Sequence, residues 1–313
     1  MQSTFGAEPV RVAVPATSAN LGPGYDALGL ALSLEDEVTA QVTAGGIRVD
    51  VVGEGAGEVP LGPEHLIVRT MWRTFELLGV ARPDGLALTC HNRIPHARGL
   101  GSSSAAIVAG IVLARALVIG GADGLDDAAA LRLAAEIEGH PDNVAPCLLG
   151  GFTIAWTSDD GGARAVRLDP EPTLRPTVLI PTGRGLTAHA RAALPAMVPH
   201  ADAAFNAARA ALLVHALTAA PSLLLEATQD RLHQDYRASG MPETADLLRS
   251  LRQADVPAFV SGAGPSVLAL PSGTLPPVPE GWCARSLSVS STGARILIGR
   301  HAEGDHVAAG PPS

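Results

Sequence analysis

The chain has 313 residues, of which 47% are apolar and 17% charged, and its formal net charge is −9. This length allows two domains, and the composition is that of a globular protein rather than a disordered chain. The negative charge argues against a nucleic-acid-binding protein, which carries a basic face. It does not exclude a nucleotide, because backbone amides bind phosphate without net positive charge. The three scattered cysteines lack a CxxC pair and indicate neither a zinc site nor a disulfide framework.

No secretory leader is expected, because Glu8 and Arg11 come before an apolar segment could form. The most apolar stretch, 105–121, contains Arg115 and is too short to span a bilayer comfortably. We therefore expect a cytoplasmic protein with neither a nucleic-acid nor a membrane partner.

The first half of the chain is predicted to mix strands with three helices. Apolar alternation or short apolar runs predict strands at 10–14, 38–42, 47–52 and 86–91. Helical patterns with start and stop residues predict helices at 63–78, 103–118 and 126–138. A glycine-rich bend is expected at 21–24, between the first two strands.

The second half, after Gly150-Gly151, differs in character. Strands are predicted at 152–156, 165–168, 177–180, 257–260, 266–270 and 295–299, and helices at 201–218, 221–229 and 243–254. Strands and helices follow one another without a regular βαβ alternation, which favours an α+β fold in two lobes. We divide the chain into 1–160 and 161–313, with a loose tail beyond His301.

A glycine-serine segment, PHARGLGSSS at 95–104, precedes the long apolar helix. Gly99 and Gly101 allow positive φ and a close approach of the backbone to a ligand. The serines occupy the helix start, where free amides and the helix dipole attract an anion. The segment contains neither a Walker lysine nor GxGxxG, so it predicts a phosphate site of another type. An ordinary glycine turn with serine caps is the alternative. The nucleotide-binding candidates are Pro95, Arg98, Gly99, Leu100, Gly101, Ser102, Ser103 and Ser104.

Two further glycine-rich segments flank this one in the sequence. PATSANLGPGYDALGL at 15–30 carries Asn20 and Asp26, and SGAGPS at 261–266 joins two short predicted strands. Each alone could be a hairpin loop. Three such segments in this order are more specific than any one.

The three segments resemble the signature motifs of the GHMP kinase superfamily, over about residues 10–300. Within it, VPATSANLGPGYDALGLAL, RGLGSSSAA, EGHPDNVAP with a following GG, and SGAGPSVLAL are similar to the homoserine kinases. The resemblance implies an N-terminal lobe like ribosomal protein S5 and a ferredoxin-like C-terminal lobe. It also implies ATP and Mg²⁺ as cofactors, and direct γ-phosphoryl transfer to L-homoserine in threonine biosynthesis. A homodimer is expected by resemblance alone.

The resemblance also implies roles for individual residues. Glu136 is expected to hold Mg²⁺ together with Ser103, in preference to Glu138, which lies on a different helix face. Asn20 and Asn143 are expected to orient the acceptor hydroxyl. The other expected acceptor contacts are Asp26, His140, Asp142, Thr187, Arg191, Arg237, Gly262 and Gly264.

Arg191 and Arg237 are the expected contacts of the acceptor's carboxylate, because a guanidinium group suits bidentate binding of a carboxylate. Beside Arg237, this chain departs from the pattern of the related sequences. Related sequences often carry proline where this chain has Asp235, and a carboxylate there could occupy Arg237. The alternatives are another kinase of the superfamily acting on mevalonate or a sugar, a non-catalytic ligand sensor on the same scaffold, and a generic acidic α+β binding domain.

Overall fold

The computed structural model describes residues 4–185 and 187–297. In this part of the chain, eleven strands and ten α-helices form two sheets with helices packed against them. Each sheet belongs to one lobe, so the predicted two-lobed α+β class is confirmed.

The first sheet has seven strands, in the order β11-β1-β2-β4-β3, with β5 paired to β2 and β6 paired to β5. They are β1 (Val10–Ala19), β2 (Leu28–Thr43), β3 (Gly46–Gly53), β4 (Gly85–Asn92), β5 (Phe152–Thr157), β6 (Ala163–Leu168) and β11 (Arg295–Ile296). The long strand β2 is the centre of this sheet because it pairs with β1, β4 and β5. Only β3 and β4 run parallel among the described pairs.

Five helices belong to this lobe, namely α1 (Leu66–Leu77), α2 (Ser102–Leu117), α3 (Gly121–Gly124), α4 (Asp127–Glu138) and α5 (Pro141–Leu149). Helix α2 is apolar on nearly every side and is buried along most of its length. Helix α2 packs closely on α1 at Gly110. A Cβ added at Gly110 would lie only 2.8 Å from Cβ of Thr70, so no larger residue fits there without a shift. The glycine therefore sets the distance between α2, with the glycine-serine segment before it, and α1.

The second sheet has the strand order β10-β7-β9-β8. Its strands are β7 (Thr177–Pro181), β8 (Ala258–Val260), β9 (Val267–Ala269) and β10 (Trp282–Ser286). The helices of this lobe are α6 (Thr187–Ala192), α7 (His200–Thr218), α8 (Leu224–Ala227), α9 (Gln234–Arg237) and α10 (Pro242–Gln253). A separate small core forms where α10 covers the sheet, around Leu179, Leu247 and Leu251.

The structure differs from the sequence predictions at several elements. Helix α5 was not predicted, since Gly139 ends α4 in a left-handed conformation. Pro141 then starts a new helix after an extended His140. Strand β10 was also missed. The predicted helix 221–229 is a 3₁₀ turn followed by α8, and β11 is the described part of the strand predicted at 295–299.

The predicted division after residue 160 falls inside the turn between β5 and β6. These strands pair along their whole length, from Phe152 with Leu168 to Thr157 with Ala163, so both belong to the first sheet. We therefore propose a boundary after Leu168, with β11 returning to the first lobe. The tail expected beyond His301 lies outside the described residues. Among the residues described, no helix is both long and apolar enough to cross a membrane.

Candidate active site

The three glycine-rich segments meet at one place and hydrogen-bond to each other. Ser261 donates its hydroxyl to the carbonyl of Gly99 at 2.7 Å. Asn20 donates its Nδ2 to the carbonyl of Gly262, also at 2.7 Å. Between the segments lies a cleft of about 270 Å³. Its charged and carboxamide lining residues are Asn20, Asp26, Glu138, His140, Asp142, Asn143, Arg191 and Arg237.

Two glycines of the glycine-serine segment, which is the second of the three along the chain, have no room for a side chain. Gly101 has φ +72°, and a Cβ there would lie 2.0 Å from Oγ1 of Thr17. Gly99 has φ +73°, and its Cβ would lie 2.2 Å from the carbonyl oxygen of Ser261. Both therefore combine a left-handed backbone with close packing, which only glycine tolerates without strain.

The first turn of α2 faces this cleft with open backbone amides. Gly101 is the N-cap residue and provides no side-chain cap, so the amides of the first turn lack a partner of that kind. Ser102 and Ser103 line both the cleft and a neighbouring cavity of about 290 Å³. The second cavity is walled mainly by apolar side chains, among them Val14, Val38, Val59, Leu66, Ile67 and Ala105. The first turn of α2, 102–104, which we call the serine turn, separates an apolar cavity from a charged cleft.

The two acidic candidates of α4 point in different directions. Glu138 lines the cleft and accepts hydrogen bonds from the hydroxyls of Ser103 at 2.8 Å and Ser104 at 2.9 Å. Glu136 is 65% exposed and forms an ion pair with Arg73 at 3.0 Å. The expectation that Glu136 faces the serine turn is therefore corrected. Residues two apart on a helix differ by about 200° in direction, and it is Glu138 that faces Ser103.

Asn143 is held by a residue that the sequence predictions missed. The buried Thr17, in the first segment, donates its hydroxyl to Oδ1 of Asn143 at 2.8 Å. This leaves Nδ2 of Asn143 as the free polar group of a cleft-lining side chain, and Nδ2 only donates. In the sequence, the signal for this contact was a polar residue, Thr17, within the PATSAN motif of the first segment.

The carboxamide of Asn20 holds two segments together. Its Oδ1 accepts the backbone amide of Asp26 at 3.0 Å, while its Nδ2 binds Gly262. Asn20 itself has φ +67°, a conformation that asparagine adopts more readily than most residues. One Nδ2 hydrogen remains for a ligand, so Asn20 can donate one further hydrogen bond.

His140 and Asp142 form a close pair at the start of α5, with 2.5 Å between Nδ1 and Oδ1. Burial lowers the pKa of His140, but the hydrogen bond to Asp142 and the charges of Asp142 and Glu138 outweigh it, so the net shift is upward. Asp142 is only 2% exposed. The pair therefore presents a buried carboxylate whose charge is partly compensated.

The two arginines of the cleft have different partners. Arg191 forms an ion pair with Asp26 at 3.1 Å. Arg237 donates to neutral acceptors, the carbonyls of Ala190 and Gly262 and Nδ1 of His233. Acidic and basic side chains thus line the same cleft. This arrangement suits a zwitterionic ligand, which carries both a positive and a negative group.

The concern about Asp235 is answered by its location. Asp235 lines a different cavity, together with Met241 and Arg252, and is not a partner in any hydrogen bond of Arg237. It therefore leaves the guanidinium of Arg237 available to the cleft.

Some predicted binding residues have structural contacts instead. Arg98 donates to the carbonyls of His96, Pro181 and Thr182, which ties the second segment to the end of β7. Pro95 is buried, and Leu100, although buried, also lines the cleft. Gly264 is close to Met241, since a Cβ there would lie 2.7 Å from its sulfur. Thr187 begins α6, and its side chain lies outside the described residues.

Comparison with known proteins agrees with this geometry. The model of the GHMP kinases N terminal domain matches residues 65–151, and that of the GHMP kinases C terminal domain matches residues 208–280. A homoserine kinase of Streptomyces avermitilis is 55% identical over 298 residues, covering 94% of this chain and 97% of that protein. A homoserine kinase of Streptomyces coelicolor is 55% identical over the same length, covering 94% and 96%.

A solved structure agrees over the whole fold. The crystal structure of homoserine kinase from Cytophaga hutchinsonii superposes with a TM-score of 0.78 at 26% identity, covering 95% of this chain and 99% of that one. Sequence and fold therefore agree, and the chain belongs to the homoserine kinase family of the GHMP kinases.

Proposed function

We propose that this chain transfers the γ-phosphoryl group of ATP to the hydroxyl of L-homoserine, giving O-phospho-L-homoserine and ADP in the pathway to L-threonine. One observation carries the proposal. The open amides at the start of α2 and the paired charges of Asp26, Asp142, Arg191 and Arg237 line the same cleft. A phosphate site beside a site for an amino acid is what this reaction requires.

We assign the phosphates of ATP to the amides and hydroxyls of the turn at 102–104, supported by the glycine backbone and the dipole of a sixteen-residue helix. The nucleoside is assigned to the apolar cavity on the other side of Ser102 and Ser103. This arrangement aims the terminal phosphate at the acceptor cleft.

We assign Mg²⁺ to Glu138 with Ser103, in place of Glu136. Among the described residues, no three His, Cys, Asp or Glu side chains form a metal cluster. Mg²⁺ bound with nucleotide phosphates needs only one or two carboxylates from the protein, so this oxygen donor pair fits it. When bound, the ion neutralises charge on the transferring phosphate groups. Glu138 supplies the negative charge for it, and Ser103 a hydroxyl oxygen.

We assign the acceptor's carboxylate to Arg191 and Arg237 and its ammonium group to Asp26 and Asp142. Nδ2 of Asn143 and the remaining Nδ2 hydrogen of Asn20 then orient the hydroxyl. Neither carboxamide is a base, so the hydroxyl keeps its proton until late and gives it to the transferred phosphoryl group or to solvent. Phosphoryl transfer depends mainly on positioning and charge, because its transition state is loose. A homodimer and a cytoplasmic location are part of the same proposal.

An ADP-release assay with ATP, Mg²⁺ and a panel of acceptors tests the function. L-homoserine should give ADP, while mevalonate and galactose should give only background. ADP from mevalonate or galactose alone would assign the chain to another kinase of the superfamily. Nucleotide binding without ADP from any acceptor would indicate a ligand sensor.

A further inference from the structure

His233 and Arg237 stand one helical turn apart, around the short helix α9. His233 has no exposed surface, and Arg237 is 3% exposed. Nη1 of Arg237 lies 3.2 Å from Nδ1 of His233. Arg237 also lines the acceptor cleft. A fully buried histidine, which does not itself line the cleft, therefore contacts one of the two arginines that do.

The hydrogen bonds of His233 define its tautomer. A guanidinium group only donates, so Nδ1 of His233 must be an unprotonated acceptor. Its hydrogen is then on Nε2, which lies 2.8 Å from the carbonyl oxygen of Gly22 in the glycine-rich bend. Asp230 lies 3.6 Å from Nε2, but its carboxylate accepts the backbone amides of Leu232, His233 and Gln234. Burial lowers the pKa of His233, in agreement with a neutral ring.

A neutral acceptor has a consequence for the arginine. An aspartate or glutamate in this place would orient the guanidinium but would also cancel its charge. His233 orients it and leaves the positive charge available, as do the carbonyls of Ala190 and Gly262. Arg191 differs, because Asp26 already compensates it. Burial lowers the pKa of Arg237, and among the described residues Asp26 and Asp230 are near enough to oppose this shift, but neither forms a salt bridge with Arg237. An external anion should therefore stabilise Arg237 more than Arg191, since an unpaired buried charge is costly.

We propose that His233 is a positioning residue, which holds Arg237 toward the acceptor cleft so that Arg237 binds the carboxylate of the acceptor. The inference rests on the proposed function. Tyr25 contributes from a third side, because its ring centroid lies 5.5 Å from the guanidinium carbon of Arg237 and 5.3 Å from the centroid of the His233 ring. The link from Gly22 through His233 to Arg237 thus joins the first glycine-rich segment to the carboxylate site.

Kinetics of two variants tests the proposal. His233→Phe keeps a ring but removes both nitrogens, while His233→Asn keeps an acceptor near the position of Nδ1. We expect His233→Phe to raise KM for L-homoserine about tenfold or more, the effect of one hydrogen bond to a charged group. KM for ATP should stay within twofold, and His233→Asn should recover most of the loss.

A second acceptor separates positioning from general damage. 3-Aminopropan-1-ol is homoserine without its carboxylate, so its kcat/KM should be the same in the wild type and in His233→Phe. Equal losses with both acceptors, or an equal rise in KM for ATP, would overturn the proposal. Absence of turnover with L-homoserine in the wild type would instead contradict the proposed function.

The tautomer can be measured without any substrate or variant. NMR of the wild-type protein with isotope-labelled histidine should show His233 as a neutral ring with its hydrogen on Nε2 at pH about 7. A charged ring, or a hydrogen on Nδ1, would overturn the proposal even if the variants fail to fold.

Discussion

Thr17 donates its hydroxyl to Oδ1 of Asn143 across 2.8 Å, and this bond joins strand β1 to the first turn of α5. It fixes which end of the carboxamide is free. Without it, Asn143 could rotate and present either its oxygen or its nitrogen to the cleft. If Asn143 orients the acceptor as proposed above, that orientation depends on a buried residue, Thr17, that need not touch the acceptor.

Replacement of Thr17 by valine should lower kcat by about tenfold, because it removes one hydrogen bond and keeps the shape of the side chain. KM for ATP should change little. Steady-state kinetics measures both. Thr70→Val is the matched control, since the hydroxyl of Thr70 is buried without a partner and its loss should leave turnover intact. Wild-type turnover in Thr17→Val would contradict the orienting role.

Glu138 and Glu136 form a natural pair of variant and control on one helix. Glu138→Gln should reduce kcat by about 100-fold or more, because it removes the charge assigned to the metal. Glu136→Gln should stay within a few-fold, since it loses only an exposed ion pair with Arg73. Turnover measured over a range of Mg²⁺ concentrations tests both. The opposite ranking would return the metal role to Glu136.

Alanine at Gly101 should impair both stability and nucleotide binding. Its Cβ would lie 2.0 Å from Oγ1 of Thr17, in addition to the strain of φ +72°. Gly120→Ala is the control, because Gly120 has φ +76° but no atom within 4 Å of its Cβ position. We expect about 1 kcal/mol of destabilisation for Gly120→Ala and roughly 1–3 kcal/mol more for Gly101→Ala. Denaturant unfolding and KM for ATP measure the two effects. Equal destabilisation would mean that the contact relaxes.

Asp36 should make stability depend on pH. Burial raises its pKa to about 6, although its Oδ1 accepts the amides of Arg93 and Ile94. The folded state then holds a proton that the unfolded chain releases near pH 4, so this contribution is complete below about pH 4 and is lost as pH rises to about 6. Two pKa units correspond to about 3 kcal/mol.

Asp36→Asn keeps the acceptor oxygen and removes the titration. The variant should therefore be more stable than the wild type at pH 7, by up to about 3 kcal/mol, and equal to it near pH 4. Unfolding by urea at several pH values measures the difference, with the exposed Asp123→Asn as control. A constant difference across this range would contradict the assignment.

Local pattern was enough to predict most of the fold. Helices α1, α2 and α4 have clear start and stop residues, and their predicted bounds lie within three residues of those observed. Helix α5 was missed because Gly139 and Pro141 together look like the end of a helix, although proline also starts one. The predicted domain boundary falls inside the β5–β6 hairpin because the turn at 159–162 has the composition of a linker between domains.

The site was harder to predict, because contacts between distant segments decide it. Spacing cannot show which of two acidic residues at a helix end faces Ser103. That depends on how α4 packs beside α2. Likewise, nothing near Arg98 in the sequence indicates that Pro181 and Thr182 bind its guanidinium. Nothing near Arg237 indicates that the carbonyl of Gly22 fixes its histidine partner.

The bonds between the three glycine-rich segments also bear on when the site forms. Asn20 and Gly262 are 242 residues apart, and Gly99 and Ser261 are 162 apart. Contacts of such long range are slow to form, because the loop between them must first be closed. During synthesis, a chain that has not reached residue 261 lacks one wall of the cleft. Binding of an acceptor in the cleft therefore cannot guide early folding of this protein. It can only stabilise the chain after both ends have met.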